Sequence, residues 1–147
     1  MSGGKEKIKV LFLCTGNACR SQIAEGWARH LKGDVMEVFS AGVSPATVSR
    51  RAIETMAEVG VDISGHRSKH LDEFEGIDFD YVVTVCDNAR QQCPVFGGAA
   101  KMVHRTFDDP SFMDGTEKEI KSATRKLRDE MRTFVEAMPE SLEREGK

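Results

Sequence analysis

Lys7-Ile8-Lys9-Val10-Leu11-Phe12-Leu13-Cys14-Thr15-Gly16-Asn17-Ala18-Cys19-Arg20-Ser21 joins an apolar run to the spacing C-x5-R-S. Lys7 to Leu13 reads as a buried strand, consistent with a parallel sheet covered on both faces. It ends at the Cys14 loop. Ser21 is then placed to cap a helix that carries Ile23, Ala24, Trp27, Ala28 and Leu31 on one face. A loop that runs from a strand into a helix N-terminus turns backbone N–H groups and a positive dipole end toward an anion.

Outward from this unit, strands and helices alternate. Gly33 and Asp34 stop the first helix, and Val35 to Ser40 alternates like a strand. Ala41 to Pro45 is a loop. A second amphipathic helix presents Val48, Ala52, Ile53, Met56 and Ala57 to the core and closes at Gly60. Asp80 to Val85 is the clearest strand, with Cys86 at its carboxyl end, and Lys101 to Arg105 is a shorter one. Thr116 to Glu119 forms a capping box for a last helix, in which Ile120, Ala123, Leu127, Met131, Phe134 and Met138 recur at intervals of three and four. Glu140 to Lys147 is expected to fray. The pattern predicts an α/β fold: one domain over 1–147, a parallel four-stranded sheet flanked by helices. Ligands of such folds bind beyond the carboxyl ends of the strands. Cys14, Cys86 and the Asp108-Asp109-Pro110 loop all follow strands, so all three are expected at that edge.

The bulk numbers fit one domain and exclude several functions. The 147 residues carry 21 basic and 24 acidic side chains and a net charge of -3. This gives no basic footprint for nucleic acid or an anionic membrane. No secretory or membrane-spanning segment is visible, so a cytoplasmic protein is expected. In that compartment the four cysteines rest as thiols, and any disulfide is transient and catalytic. Their spacings, C-x4-C and C-x6-C separated by 66 residues, do not match zinc-binding pairs, and no metal site is expected.

The loop itself carries chemistry. Gly16 lets the backbone turn, and Asn17 tolerates left-handed geometry and can bond its own loop. Arg20 offers a planar fork for two oxygens of a tetrahedral oxyanion. Thr15, Gly16, Asn17, Ala18, Cys19, Arg20 and Ser21 therefore form a candidate oxyanion cradle. The same field favours Cys14 as thiolate, with Ser21 able to donate to its sulfur. Asp109, directly before Pro110, is the candidate acid for a departing oxygen, because proline biases the preceding residue to an extended conformation. An anion cradle with a nucleophilic sulfur suits phosphate transfer. With two further thiols, Cys86 and Cys93, it also suits redox chemistry. The plainer readings are a strand-end cysteine, an acidic turn and two unrelated structural thiols.

These stretches together resemble the low-molecular-weight protein tyrosine phosphatase superfamily, and more closely its thioredoxin-coupled arsenate reductases. The match runs through Cys14 to Ser21, Ser40-Ala41-Gly42, Gly60 to His66, Val83-Thr84-Val85-Cys86 through Cys93-Pro94, and Phe107-Asp108-Asp109-Pro110. C-x6-C-P is its specific part, since the anion loop fits both groups. The resemblance implies a low-molecular-weight phosphatase-like fold and a thiol cascade. Cys14 attacks arsenate held by Arg20 and the loop amides, and Asp109 protonates the leaving oxygen. Cys86 then forms a disulfide with Cys14, and Cys93 moves the oxidation to a Cys86–Cys93 bridge. The resemblance also implies thioredoxin as the partner that supplies reducing equivalents, no bound cofactor and a monomer. Asp87 to Gln92 is expected to rearrange as the bridge forms. In related phosphatases the loop cysteine matching Cys19 can bridge to the nucleophile; here packing is the favoured role.

The chain departs from that family at one point. Some members bind potassium near the loop through an Asn, a Glu and a Ser, matched here by Asn17, Glu25 and Ser40. Their remaining Thr and Asp fall at Arg67 and Lys69, whose charges would repel the ion. No potassium requirement is expected, with the Lys69 ammonium standing in, and His66 either orients the loop through Asn17 or is a satisfied structural residue, the commoner role of a lone histidine. Two competing functions differ in class. A tyrosine phosphatase would use Cys14 to form a phosphocysteine that water hydrolyses. Those enzymes place aromatic residues after Asp-Pro, where this chain has Ser111-Phe112. An anion-sensing regulator would need a basic DNA-binding element that is missing here.

Overall fold

The structure, a computed structural model, describes residues 7–85, 100–108, 110 and 113–145. Four parallel strands form one sheet: β1 (Ile8–Cys14), β2 (Met36–Gly42), β3 (Tyr81–Thr84) and β4 (Lys101–His104), in the spatial order β2-β1-β3-β4. β1 pairs with β2 from Ile8↔Met36 to Cys14↔Gly42, and with β3 from Val10↔Tyr81 to Leu13↔Thr84. Val10, Leu11, Phe12 and Leu13 are all fully buried, which is why this run has no polar alternation. Because β1 sends the chain out to β2 on one side and has β3 on the other, the strand order reverses at β1. That puts Cys14, the last residue of β1, at the switch point where such sheets open a crevice.

Helices cover the sheet. α1 (Arg20–Lys32) packs on β1 and β2, and α2 (Arg50–Ala57) and α3 (Glu117–Glu136) pack on α1 and on each other. The indole Nε1 of Trp27 donates to the Arg128 carbonyl at 2.9 Å and ties α1 to α3. The expected capping box of α3 is formed by Thr116 and Glu119, with bonds of 3.1 and 3.0 Å. No helix among the described residues is long and apolar enough to cross a membrane.

Three expectations need correction. Ser21 does not cap α1. Cys19 holds that position without a side-chain cap, and Ser21 lies inside the first turn with its hydroxyl turned to Cys14. Ala57 faces solvent on α2 and Thr55 is buried in its place, its hydroxyl bonded back to the Arg51 carbonyl at 2.8 Å. Of the Glu140 to Lys147 stretch expected to fray, Glu140–Glu145 forms α4, because Leu142 is fully buried and anchors it, while Gly146 and Lys147 lie outside the described residues.

Glu58, the C-cap of α2, accepts from Arg125 Nη2 at 2.7 Å and from Arg128 Nη1 at 2.9 Å, so it pins α2 to α3. The Arg125 hydrogen bond foremost, with Arg128 behind it, brings the Glu58 carboxyl from its ordinary 4.5 down to about 2. A carboxyl lowered in the folded state adds stability that is present above its unfolded value and lost as pH falls through the folded one. Glu58→Gln is therefore expected to lower Tm at neutral pH by on the order of 1–3 °C, the modest effect of a surface pair. That gap should shrink as pH falls from about 5 toward 3. A gap independent of pH in thermal melts would contradict the assignment.

Candidate active site

The loop between β1 and α1 is shaped by what its carbonyls do. The Cys14, Thr15, Gly16 and Ala18 carbonyls accept from the N–H groups of Val43, Ser44, Ala46 and Ser49 at 3.3, 2.8, 2.9 and 2.8 Å. In a trans peptide the N–H points opposite to the carbonyl it follows. Engaging these carbonyls with the 43–49 segment thus turns the next amides toward the inside of the loop. The Asn17 N–H shows the result: it donates to Cys14 Sγ at 3.2 Å. This inward arc of amides above a helix N-terminus is an anion-binding arrangement.

The residue that demands an unusual backbone is Asn17, at φ 49°. A left-handed residue other than glycine costs roughly 1–2 kcal/mol, offset here because each of its polar atoms is engaged. Its Nδ2 donates to Ser21 Oγ at 2.8 Å and to Ser40 Oγ at 3.0 Å. Its Oδ1 accepts from the Lys69 N–H at 2.8 Å and from Gln22 Nε2 at 3.0 Å, and its carbonyl from Ser68 and Gln22. Gly16, by contrast, makes no such demand: a Cβ there would meet only ordinary contacts at 3.6 Å and beyond. The required glycine is Gly42, where a Cβ would lie 2.6 Å from the Thr15 carbonyl oxygen and 2.9 Å from the Asn17 nitrogen. Its bareness lets the end of β2 lie against the loop.

Cys14 is 2% exposed, with its sulfur 2.9 Å from Ser21 Oγ. Cys19 is 4% exposed in the hydrophobic core, and neither of these two cysteines is in a disulfide. Arg20 Nη1 donates to the Phe107 carbonyl at 3.0 Å. The Phe107 N–H in turn donates to the Val85 carbonyl at 3.2 Å, and the Val85 N–H to the Leu13 carbonyl at 3.0 Å. Segments that follow β1, β3 and β4 thereby meet at one edge of the sheet. Arg105 stacks over Phe107 and Phe134, at 5.0 and 5.3 Å from the ring centroids, and fixes the third segment against α3. Of the other site candidates, Cys86, Cys93 and Asp109 lie outside the described residues, as do Asp87 to Gln92, Ser111 and Phe112.

Behind the loop, Glu25 is 4% exposed. Burial by itself would raise its carboxyl; the Ser40 hydrogen bond, the Lys69 and His66 charges and the Arg29 bond together hold it below its ordinary value. Burial pushes the His66 imidazole down. His66 reaches Asn17 only through Gln22, whose Oε1 lies 2.9 Å from His66 Nδ1. Of the two cations expected near Asn17, Arg67 turns outward to pair with Glu73, while Lys69 stays by Glu25 at 3.7 Å. Gln22 and Arg29 went unnoticed in the sequence. Gln22 carries no motif in the sequence, whereas Glu25 and Arg29 stand at an i, i+4 spacing that foretells their pairing.

This geometry defines a class: an α/β fold with a cysteine and an arginine in a strand-to-helix loop at the switch point. The chain belongs to the low molecular weight phosphotyrosine protein phosphatase family, which matches residues 9–147. Within it the chain stands with the arsenate reductases. It is 40% identical over 132 residues to arsenate reductase 2 of Staphylococcus epidermidis, covering 90% of this chain and 96% of that one. It is 43% identical over 122 residues to the arsenate reductase of Bacillus subtilis, covering 83% and 88%. The fold is similar to that of a thioredoxin-dependent arsenate reductase from Corynebacterium glutamicum, with a TM-score of 0.63 and 28% identity over 92% of this chain and 65% of that one.

Proposed function

We propose that this chain reduces arsenate to arsenite through a relay of Cys14, Cys86 and Cys93, and that a thioredoxin returns it to the dithiol form. The observation that carries the chemistry is the Cys14 sulfur, held by the Asn17 N–H and the Ser21 hydroxyl inside an arc of backbone amides. The kinship with named arsenate reductases selects the substrate.

The thiolate of Cys14 attacks arsenic(V), forming an S–As bond while one oxygen leaves as water, protonated by Asp109. Arg20 and the amides of residues 15–21 carry the oxyanion charge. Cys86 thiolate then attacks the Cys14 sulfur. The S–As electron pair stays on arsenic, which departs as arsenite in the +3 state, and a Cys14–Cys86 disulfide remains. Cys93 attacks Cys86, frees Cys14 as thiolate and leaves a Cys86–Cys93 disulfide. A dithiol donor of the thioredoxin class supplies the two electrons that close the cycle. This reading needs no bound cofactor and no membrane or nucleic-acid partner, and treats the chain as one cytoplasmic, monomeric domain.

The test is arsenate with thioredoxin, thioredoxin reductase and NADPH, followed at the NADPH absorbance. The relay predicts NADPH oxidation that requires arsenate and thioredoxin together. Arsenate-independent oxidation would contradict the relay, and no oxidation beside rapid hydrolysis of a phosphotyrosine analogue would favour the phosphatase reading instead.

A further inference from the structure

The Glu25 carboxylate is a buried negative charge behind a loop that must stabilise two more, a thiolate and an oxyanion. Its neighbours are specific. Arg29 Nε donates to Oε2 at 2.7 Å, but the Arg29 side chain is 56% exposed, so solvent screens much of its charge. The Lys69 ammonium lies 3.7 Å from Oε1 with its side chain only 13% exposed, and donates to the Arg67 carbonyl at 2.9 Å. His66 Nδ1 is 3.9 Å from Oε1. Ser40 Oγ is 2.5 Å from the same oxygen and, facing an ionised acceptor, donates its only proton there.

The hydrogen-bond directions follow onward. Having donated, Ser40 accepts from Asn17 Nδ2. The Asn17 amide is fixed in that sense because the Lys69 and Gln22 N–H groups both donate to its Oδ1. Its second Nδ2 proton goes to Ser21 Oγ, which leaves the Ser21 proton for the Cys14 sulfur. Lys69 thus touches this chain twice: its backbone N–H orients Asn17, and its side chain faces the charge at the far end.

We propose that Lys69 is a positioning residue whose ammonium is the internal counter-cation of Glu25, cancelling that buried charge so that the loop can hold a Cys14 thiolate and an oxyanion without a bound monovalent cation. Removing the ammonium leaves the carboxylate with only the solvent-screened Arg29 guanidinium as its cationic partner, and more of its field then opposes both negative charges.

This rests on Cys14 as the nucleophile, and the test is chosen to need neither arsenate nor thioredoxin. The full-length protein is alkylated with iodoacetamide at fixed neutral pH, and the Cys14-containing peptide is quantified by mass spectrometry. Lys69→Met is expected to slow Cys14 alkylation by about tenfold. Lys69→Arg should keep most of the rate. The double variant Glu25→Gln, Lys69→Met should regain most of what Lys69→Met lost, because both charges are gone while a side-chain carbonyl still accepts from Ser40. Exchange of potassium for choline at constant ionic strength should leave the parent rate unchanged. An unchanged rate in Lys69→Met, a loss that Glu25→Gln does not restore, or a severalfold rise with potassium would each overturn the proposal. Failure of arsenate reduction with this alkylation pattern intact would count against the proposed function alone.

Discussion

Cys14→Ser is expected to abolish arsenate reduction, with a fall of roughly 10⁴-fold or more in kcat/KM, as when a nucleophile is removed from a catalytic unit. The hydroxyl is nearly isosteric with the thiol and can keep the 2.9 Å contact to Ser21 and the bond from the Asn17 N–H. It is not ionised at neutral pH, and it cannot form the disulfide on which the later steps depend. The variant should therefore still bind a tetrahedral oxyanion at the loop while turning over none of it. Oxyanion titration calorimetry beside the NADPH-coupled assay separates the two properties. Retained turnover in Cys14→Ser would remove the nucleophile from the account.

Cys93→Ser has the second large effect, and it distinguishes the two chemistries of the family. Under the relay, this variant still forms arsenite once, because Cys14 and Cys86 supply both electrons of the first reduction. It then stops, with no Cys93 thiol to carry the oxidation out to thioredoxin. Arsenite release should plateau at about one equivalent per chain, a single-turnover burst of the kind that separates chemistry from recycling. Hydrolysis of a phosphotyrosine analogue, which needs only the loop, Cys14 and an acid, should survive. Sustained arsenite production in Cys93→Ser would show that Cys93 has no part in the cycle.

The fold was legible because the strands that decide it are short and apolar. Val10 to Leu13 and Tyr81 to Val85 are buried on both faces, and a run without alternation is what such strands leave in a sequence. Their order across the sheet follows from long-range pairing that local pattern does not carry. The helix boundaries near the site were less legible, for a local reason. Ser21 is a good N-cap by type, yet a hydroxyl beside a sulfur and an Asn17 amide gains more from those partners, so the helix begins one residue before it. The same limit applies to glycine. Gly16 stands in the loop and draws the eye, whereas Gly42 comes from another strand and becomes necessary only when β2 meets the loop.

The candidate site was legible where one segment carries it and less so where several contribute. Residues 14 to 21 mark a candidate oxyanion loop through their own spacing. The support behind them is assembled from α1, β2 and the 66–69 stretch. Gln22, buried and bonded to the Asn17 and Arg67 carbonyls, has no motif that marks it. Lys69 reads in the sequence as a charge that would repel potassium and stand in for it. In the structure it is the cation beside Glu25, because its backbone bond to Asn17 sets its side chain against the carboxylate. Arg67, two residues earlier, takes the opposite direction and pairs with Glu73 at the surface.

A disulfide map of the trapped intermediate decides the order in which the thiols act. Cys93→Ser protein is treated with one equivalent of arsenate, its free thiols are blocked in acid, and its peptides are sequenced without reduction. The relay predicts a Cys14–Cys86 linkage formed in step with arsenite release. A Cys14–Cys19 linkage in its place, or arsenite released with all thiols still free, would contradict it.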